Sequence, residues 1–175
     1  MAKTKEQKGE IIAKLEEGIK SATSTVFVHF SRITVAEESA MRNALRESGV
    51  KYMVAKKTLI RRALEALGHK ADDVALDGEV AVAYGGGEDA TVAARLIHET
   101  GRKLVDPLRR SSSEASKLSI LGGIFEGKIV GAGAMQEIAT IPSMLALRGM
   151  FANIINSPRQ RFAIGLSEVA KTKTS

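Results

Sequence analysis

Four cations lie within seven residues near the middle of the chain, Lys56, Lys57, Arg61 and Arg62, around the pair Thr58-Leu59. Lys56-Lys57 follow a β-branched, apolar stretch and stand where a helix begins. Arg61 is four residues beyond Lys57, about one helical turn. Lys57, Thr58 and Arg61 can therefore converge with the N-terminal amides of that helix. Charge combined with oriented N–H donors is the chemistry of phosphate binding. Cations at a helix N-terminus oppose the macrodipole, a cost that an anionic partner offsets. Arg32, in the loop after the preceding strand, would share the same end of the sheet if the two strands were parallel neighbours.

Other chemistries find less support. Gly85-Gly86-Gly87-Glu88-Asp89 lacks the Lys-Ser/Thr of a phosphate loop, and its carboxylates would repel phosphate. It reads as a strand-to-helix turn ending in an Asp cap. Gly122-Gly123 reads as a bulge or a close approach. His29, His69 and His98 do not have metal spacing, and the chain has no cysteine, so neither zinc nor a thiol nucleophile is expected. Glu16-Glu17, Glu37-Glu38 and Asp72-Asp73 are adjacent pairs that do not share a helix face, so they are solvated charges rather than an acid–base pair. Ser111-Ser112-Ser113 has no nucleophile-elbow context. No catalytic constellation and no cofactor site is expected.

The charge map extends the anion argument. The 175 residues carry a net charge of +6. Residues 1–70 hold 14 Lys+Arg against 8 Asp+Glu, residues 71–140 hold 7 against 11, and residues 141–175 hold 5 against 1. A basic front, an acidic middle and a basic tail imply surfaces with different partners, the front facing a polyanion. No apolar run reaches the ~18 residues of a membrane span, and the N-terminus has no hydrophobic signal region. A soluble, unexported protein is expected.

The elements that position these residues follow from spacing. Thr4-x-x-Gln7 opens a helix over residues ~5–20, and Ser24–Phe30 reads as a buried strand. Thr34-x-x-Glu37 is a second capping box, opening a helix that Gly49 ends. Val50–Ala55 is a strand, Thr58 caps the next helix, and Gly68 closes it. Glu79–Tyr84 is a strand and Asp89 opens another helix, followed by a polar loop over residues ~101–116. Leu118–Phe125 and Lys128–Val130 form a hairpin whose Glu126-Gly127 turn needs positive φ. Alternating strands and helices predict an α/β layered sandwich with a mixed sheet over residues 1–135. A C-terminal helical extension follows over residues 136–175. No internal repeat stands out.

In that tail, Met144, Leu145, Leu147, Met150, Phe151, Ile154 and Ile155 form an apolar stripe that Asn156-Ser157-Pro158 is expected to break. Pro158 then starts a helix with Phe162, Ala163, Leu166, Val169 and Ala170 on one face and Arg159, Arg161, Lys171 and Lys173 elsewhere. An apolar face with cationic flanks suits an acidic protein groove or a membrane surface, and the protein partner is preferred.

Three segments carry a family resemblance: Phe30-Ser31-Arg32-Ile33-Thr34-Val35-Ala36, Ala44-Leu45-Arg46-Glu47-Ser48-Gly49-Val50 and Val54-Ala55-Lys56-Lys57-Thr58-Leu59-Ile60-Arg61-Arg62-Ala63-Leu64. Together with the glycine-rich turn, the hairpin and the Ile141-Pro142 start of the tail, they resemble the bacterial large-subunit ribosomal protein ten family. Lys57 stands where that family often has Asn, which removes an amide contact and leaves a phosphate contact.

The resemblance implies a non-enzymatic constituent of the large ribosomal subunit in the cytoplasm. It implies that the globular part binds large-subunit ribosomal RNA at the GTPase-associated region, beside ribosomal protein eleven, through Arg32, Lys56, Lys57, Thr58, Arg61 and Arg62. It further implies that Phe162, Ala163, Leu166, Val169 and Ala170 carry dimers of the acidic stalk protein seven/twelve, which recruit GTP-bound translation factors. The 17 residues after residue 158 span ~25 Å as a helix, room for two dimers. The alternative is a free RNA-binding translational repressor.

Overall fold

The computed structural model describes residues 5–69, 76–85, 89–104 and 116–174. Thr4 and its capping pattern, Asp72-Asp73, Gly86-Gly87-Glu88 and the serine run at 111–113 lie outside the described residues. Two compact units divide the chain, Met1–Ile141 and Pro142–Ser175.

Among the described residues, the first unit is built on five strands: β1 (Ser24–Phe30), β2 (Val50–Val54), β3 (Val80–Gly85), β4 (Leu118–Phe125) and β5 (Lys128–Gly131). Their order in the sheet is β2-β3-β1-β4-β5. Every pairing is antiparallel. The sheet is thus not mixed as expected. The helical crossover from β1 leaves a gap before β2, and β3 fills that gap running the opposite way. Strand–helix alternation alone cannot see such an insertion, because strand order is set by long-range pairing.

Among the described residues, five helices cover the two faces of the sheet: α1 (Lys5–Ser21), α2 (Val35–Glu47), α3 (Lys57–Ala66), α4 (Val92–Lys103) and α5 (Ala132–Thr140). Leu15 and Ile19 of α1 and Ile60, Ala63 and Leu64 of α3 pack with Phe27, Val80, Val82 and Ile124. On the other face, Met41, Leu45, Ala93, Ala94, Ile97, Met135 and Ala139 pack with Val26, Val28, Val50 and Ala83. The period-2 alternation of β1 divides Val26 and Val28 from Phe27, so one strand feeds both cores. The result is a layered α/β sandwich. Helix α5 is part of it, since Met135 is fully buried and Ala139 nearly so.

Local signals account for several boundaries. Thr34 caps α2, and Thr34 and Glu37 form both hydrogen bonds of a capping box. The hairpin turn has Glu126 at φ 50° and Gly127 at φ 78°, the geometry that favours glycine and fits the strand twist. Gly122 and Gly123 serve both roles expected of them. The β1–β4 register shifts opposite Phe27/Val28, and a side chain at Gly123 would strike the Thr25 carbonyl and Met135. Two caps differ from expectation. Lys56, not Thr58, is the N-cap of α3, and it forms no side-chain cap bond. Helix α4 starts at Val92 with Thr91 as N-cap, and Asp89 contributes its backbone carbonyl to Val92 N–H.

The second unit is a helix, α6 (Met144–Thr174), with Pro158 inside it. Ser143 caps its start, accepting from Ala146 N–H at 3.3 Å. The expected break at Asn156-Ser157-Pro158 is absent. Proline removes one N–H from the ladder and leaves the Ile154 carbonyl without its helical donor. Both residues are exposed, so water can serve that carbonyl and the helix resumes beyond it.

Candidate nucleic-acid interface and partner helix

Strands β1 and β2 are each antiparallel to β3, which lies between them, so they run in the same direction. Phe30 and Val54 therefore leave the sheet at one end, where β3 begins. This places the Arg32 loop and the Lys56-Lys57 turn at the same end, although their strands are not neighbours. The juxtaposition expected from sequence is present and arises from a different topology.

Helix α3 sorts its residues cleanly. Leu59, Ile60, Ala63 and Leu64 are buried, while Lys56, Lys57, Thr58, Arg61 and Arg62 are exposed. The first turn has no acidic residue and no side-chain cap. The Lys56 carbonyl accepts from Leu59 and Ile60 N–H at 2.8 and 3.1 Å. Lys57 and Thr58, the first two helical residues, are thus left with the amides that a helix start cannot pair internally. None of the four cations on this turn pairs with a carboxylate among the described residues. An uncapped helix start ringed by exposed cations has the charge and the donor geometry that suit an anion.

Arg32 is held rather than loose. Its φ of 53° lies in the left-handed region, where a non-glycine residue costs about 1 kcal/mol or more. Neighbouring anchors enforce that conformation. Ser31 N–H donates to the Lys117 carbonyl at 2.9 Å, and Thr34 two residues later is fixed in the capping box. Lys117 Nζ then donates to both Glu37 carboxylate oxygens at 2.8 and 3.1 Å. That bond, with the Thr34 backbone and side-chain bonds after it, holds the Glu37 carboxyl down at about 2, against an ordinary 4.5. The strained loop is therefore pinned to the start of β4 and presents an exposed guanidinium.

A cleft of about 600 Å³ opens beside this surface, between α1, α3 and the start of β3. Lys8 of α1 lines it together with Lys56 and Lys57. Sequence reasoning missed Lys8, because its helix position gives no sign of which strand end it meets. Among the described residues, no group of three His, Asp or Glu could hold a metal ion.

Phe162, Leu166 and Val169 are 70%, 56% and 56% exposed, and Ala163 and Ala170 are exposed as well. At 100° per residue, Ala163 and Ala170 lie on one flank of the stripe that Phe162, Leu166 and Val169 define. Because the helix continues through Pro158, the earlier stripe joins the later one. Met144, Phe151, Ile155, Phe162, Leu166 and Val169 fall within about 60° of one another around the axis, over a length of ~38 Å. No single helix among the described residues is long and apolar enough to cross a membrane.

That continuity exposes a repeat that the expected break at Pro158 had hidden. Arg148-x-x-Phe151-Ala152-x-x-Ile155 recurs eleven residues later as Arg159-x-x-Phe162-Ala163-x-x-Leu166. Eleven residues make close to three whole turns, so the two copies present the same pattern on the same face.

The sequence model of the family described as ribosomal protein L10 matches residues 3–101, which contain Arg32 and the whole basic cluster. The chain belongs to the ribosomal protein L10 family. Three relatives, each named large ribosomal subunit protein uL10, extend the match through α6. The protein of Shouchella clausii (strain KSM-K16) is 34% identical over 173 residues, covering 99% of this chain and 97% of the relative. That of Lacticaseibacillus casei (strain BL23) is 33% identical over 167 residues, 95% and 92% of the two chains. That of Staphylococcus aureus (strain JH9) is 30% identical over 168 residues, 96% and 94%. As a uL10-family member the chain is a structural protein of the large ribosomal subunit and not an enzyme.

Proposed function

We propose that the basic end of the sheet binds large-subunit ribosomal RNA at the GTPase-associated region, beside ribosomal protein eleven, and that α6 carries dimers of the acidic stalk protein seven/twelve. On this reading the protein works on ribosomes in the cytoplasm, and the carried dimers recruit GTP-bound translation factors. The observation that carries the RNA half is the uncapped start of α3, with Lys56, Lys57, Arg61 and Arg62 exposed around it and, among the described residues, without a carboxylate partner. Its contacts are phosphate contacts in the main, since aromatic residues make up only 4% of the chain and offer few stacking platforms. The Lys56/Lys57/Arg61/Arg62 quadruple Ala variant, assayed against protein-free large-subunit ribosomal RNA over a salt series, tests it. Affinity should fall and the slope against salt should flatten by about 3 to 4. Unchanged affinity contradicts the assignment.

The partner half rests on the two equivalent Arg-x-x-Phe-Ala-x-x-Ile/Leu repeats of α6. Each repeat seats one dimer, giving four stalk-protein copies per chain. The apolar residues supply the burial, at ~25 cal/mol per Å² removed from water. The arginines speed the approach of an acidic partner more than they tighten it.

A further inference from the structure

We infer that the cleft between α1, α3 and the start of β3 receives a single unstacked nucleobase of the bound RNA, with the adjoining phosphates held by Lys8, Lys56 and Lys57. This rests on the RNA reading above and adds to it an element that touches a base rather than the backbone. The cleft exists because the strands part at different points. The pairing of β2 with β3 ends at Val54↔Ala81. That of β1 with β3 continues to His29↔Val80, and Phe30 N–H still donates to the Glu79 carbonyl at 3.2 Å. Where β2 turns away into α3, the start of β3 loses its cover on one side, and α1 closes the notch from above.

Size and chemistry select the occupant. A cleft of about 600 Å³ lies in the range that small-molecule sites occupy. Its walls include Ile11, Leu59 and Val80, and its rim carries three lysines against one carboxylate, Glu79. Apolar walls under a cationic rim fit a group that is flat and apolar on its faces and anionic where it joins its neighbours. A nucleotide within an RNA strand has that character. Ribosomal RNA presents such bases in loops and bulges, where they are splayed from the stack and can be buried one at a time. Phe30 is the one aromatic residue of the lining, so aliphatic walls supply most of the contact that aromatic platforms give in aromatic-rich RNA-binding proteins.

The test uses the full chain with protein-free large-subunit ribosomal RNA and two variants that fill the cleft without changing charge, Ile11→Trp and Ala55→Phe. Both side chains line the cleft and are only partly buried, and a thermal melt identifies any variant that fails to fold. For each folded variant, affinity should drop about tenfold, the loss expected when one base gives up its seat, while the salt slope stays at the wild-type value. Ultraviolet cross-linking of the wild-type complex should join a nucleotide to the peptide around Lys8–Ile11 or Val54–Leu59. The inference is overturned if both folded variants bind as tightly as wild type, or if cross-links form only elsewhere while wild type binds with a normal salt dependence. If wild type does not bind the RNA at all, the underlying RNA reading falls with it.

Discussion

In α3, Leu59, Ile60, Ala63 and Leu64 face the core and the cations face water. In α6, Phe151, Phe162 and Leu166 remain 67%, 70% and 56% exposed on a helix three times as long. The two helices are built from similar residue types with opposite allocation. In the first unit apolar residues build the scaffold, and the surface proposed to meet RNA is charged. On the proposed reading the apolar face of α6 is itself the recognising surface, and its burial comes with the partner. A hydrophobic position therefore has a different meaning in each region, and substitutions can separate the two.

Truncation after Ile141 is the most drastic separation. The first unit should keep its cooperative thermal unfolding and its affinity for ribosomal RNA, while binding of the acidic stalk protein disappears completely. Loss of the cooperative melt would show that α6 contributes to the core. Next in size is a matched pair of substitutions. Leu64→Ala removes a fully buried side chain and should cost about 2–5 kcal/mol of unfolding free energy in a denaturant titration. Phe162→Ala removes a larger side chain and should leave that free energy within about 0.5 kcal/mol of wild type. Equal costs for the two would erase the distinction between the regions.

Much of this contrast is legible in the sequence. The capping box at Thr34 and Glu37, the positive-φ turn at Glu126-Gly127 and the sidedness of α3 are local patterns that tertiary contacts did not override. Three features are not local. The direction of the strands depends on β3 entering between β1 and β2, a pairing that spans dozens of residues. The place of Lys8 beside Lys56 depends on how α1 lies across the sheet. Pro158 signals a break by propensity, yet an exposed helix can leave one carbonyl to water and continue. A break there would also separate Phe151-Ala152 from its repeat in Phe162-Ala163.

The smallest expected effect probes the support of the Arg32 loop. Glu37 has its carboxyl held at about 2 by Lys117 and Thr34, below the ordinary 4.5. A depressed folded value means that the stabilisation is fully present above about pH 4.5 and is lost as pH falls toward 2. Lys117→Met should accordingly melt at a lower temperature than wild type at neutral pH, and the gap should close between pH 4.5 and 2. A gap that stays constant over that window would show that the pair does not support the loop through its charge.

Native mass spectrometry of the full chain coexpressed with the acidic stalk protein shows whether α6 offers two equivalent apolar seats. Four copies are expected on the wild-type chain, two on Phe151→Asp and two on Phe162→Asp, since an unpaired carboxylate in an apolar groove is costly to desolvate. Six copies on wild type, or an undiminished count in either variant, would contradict the account.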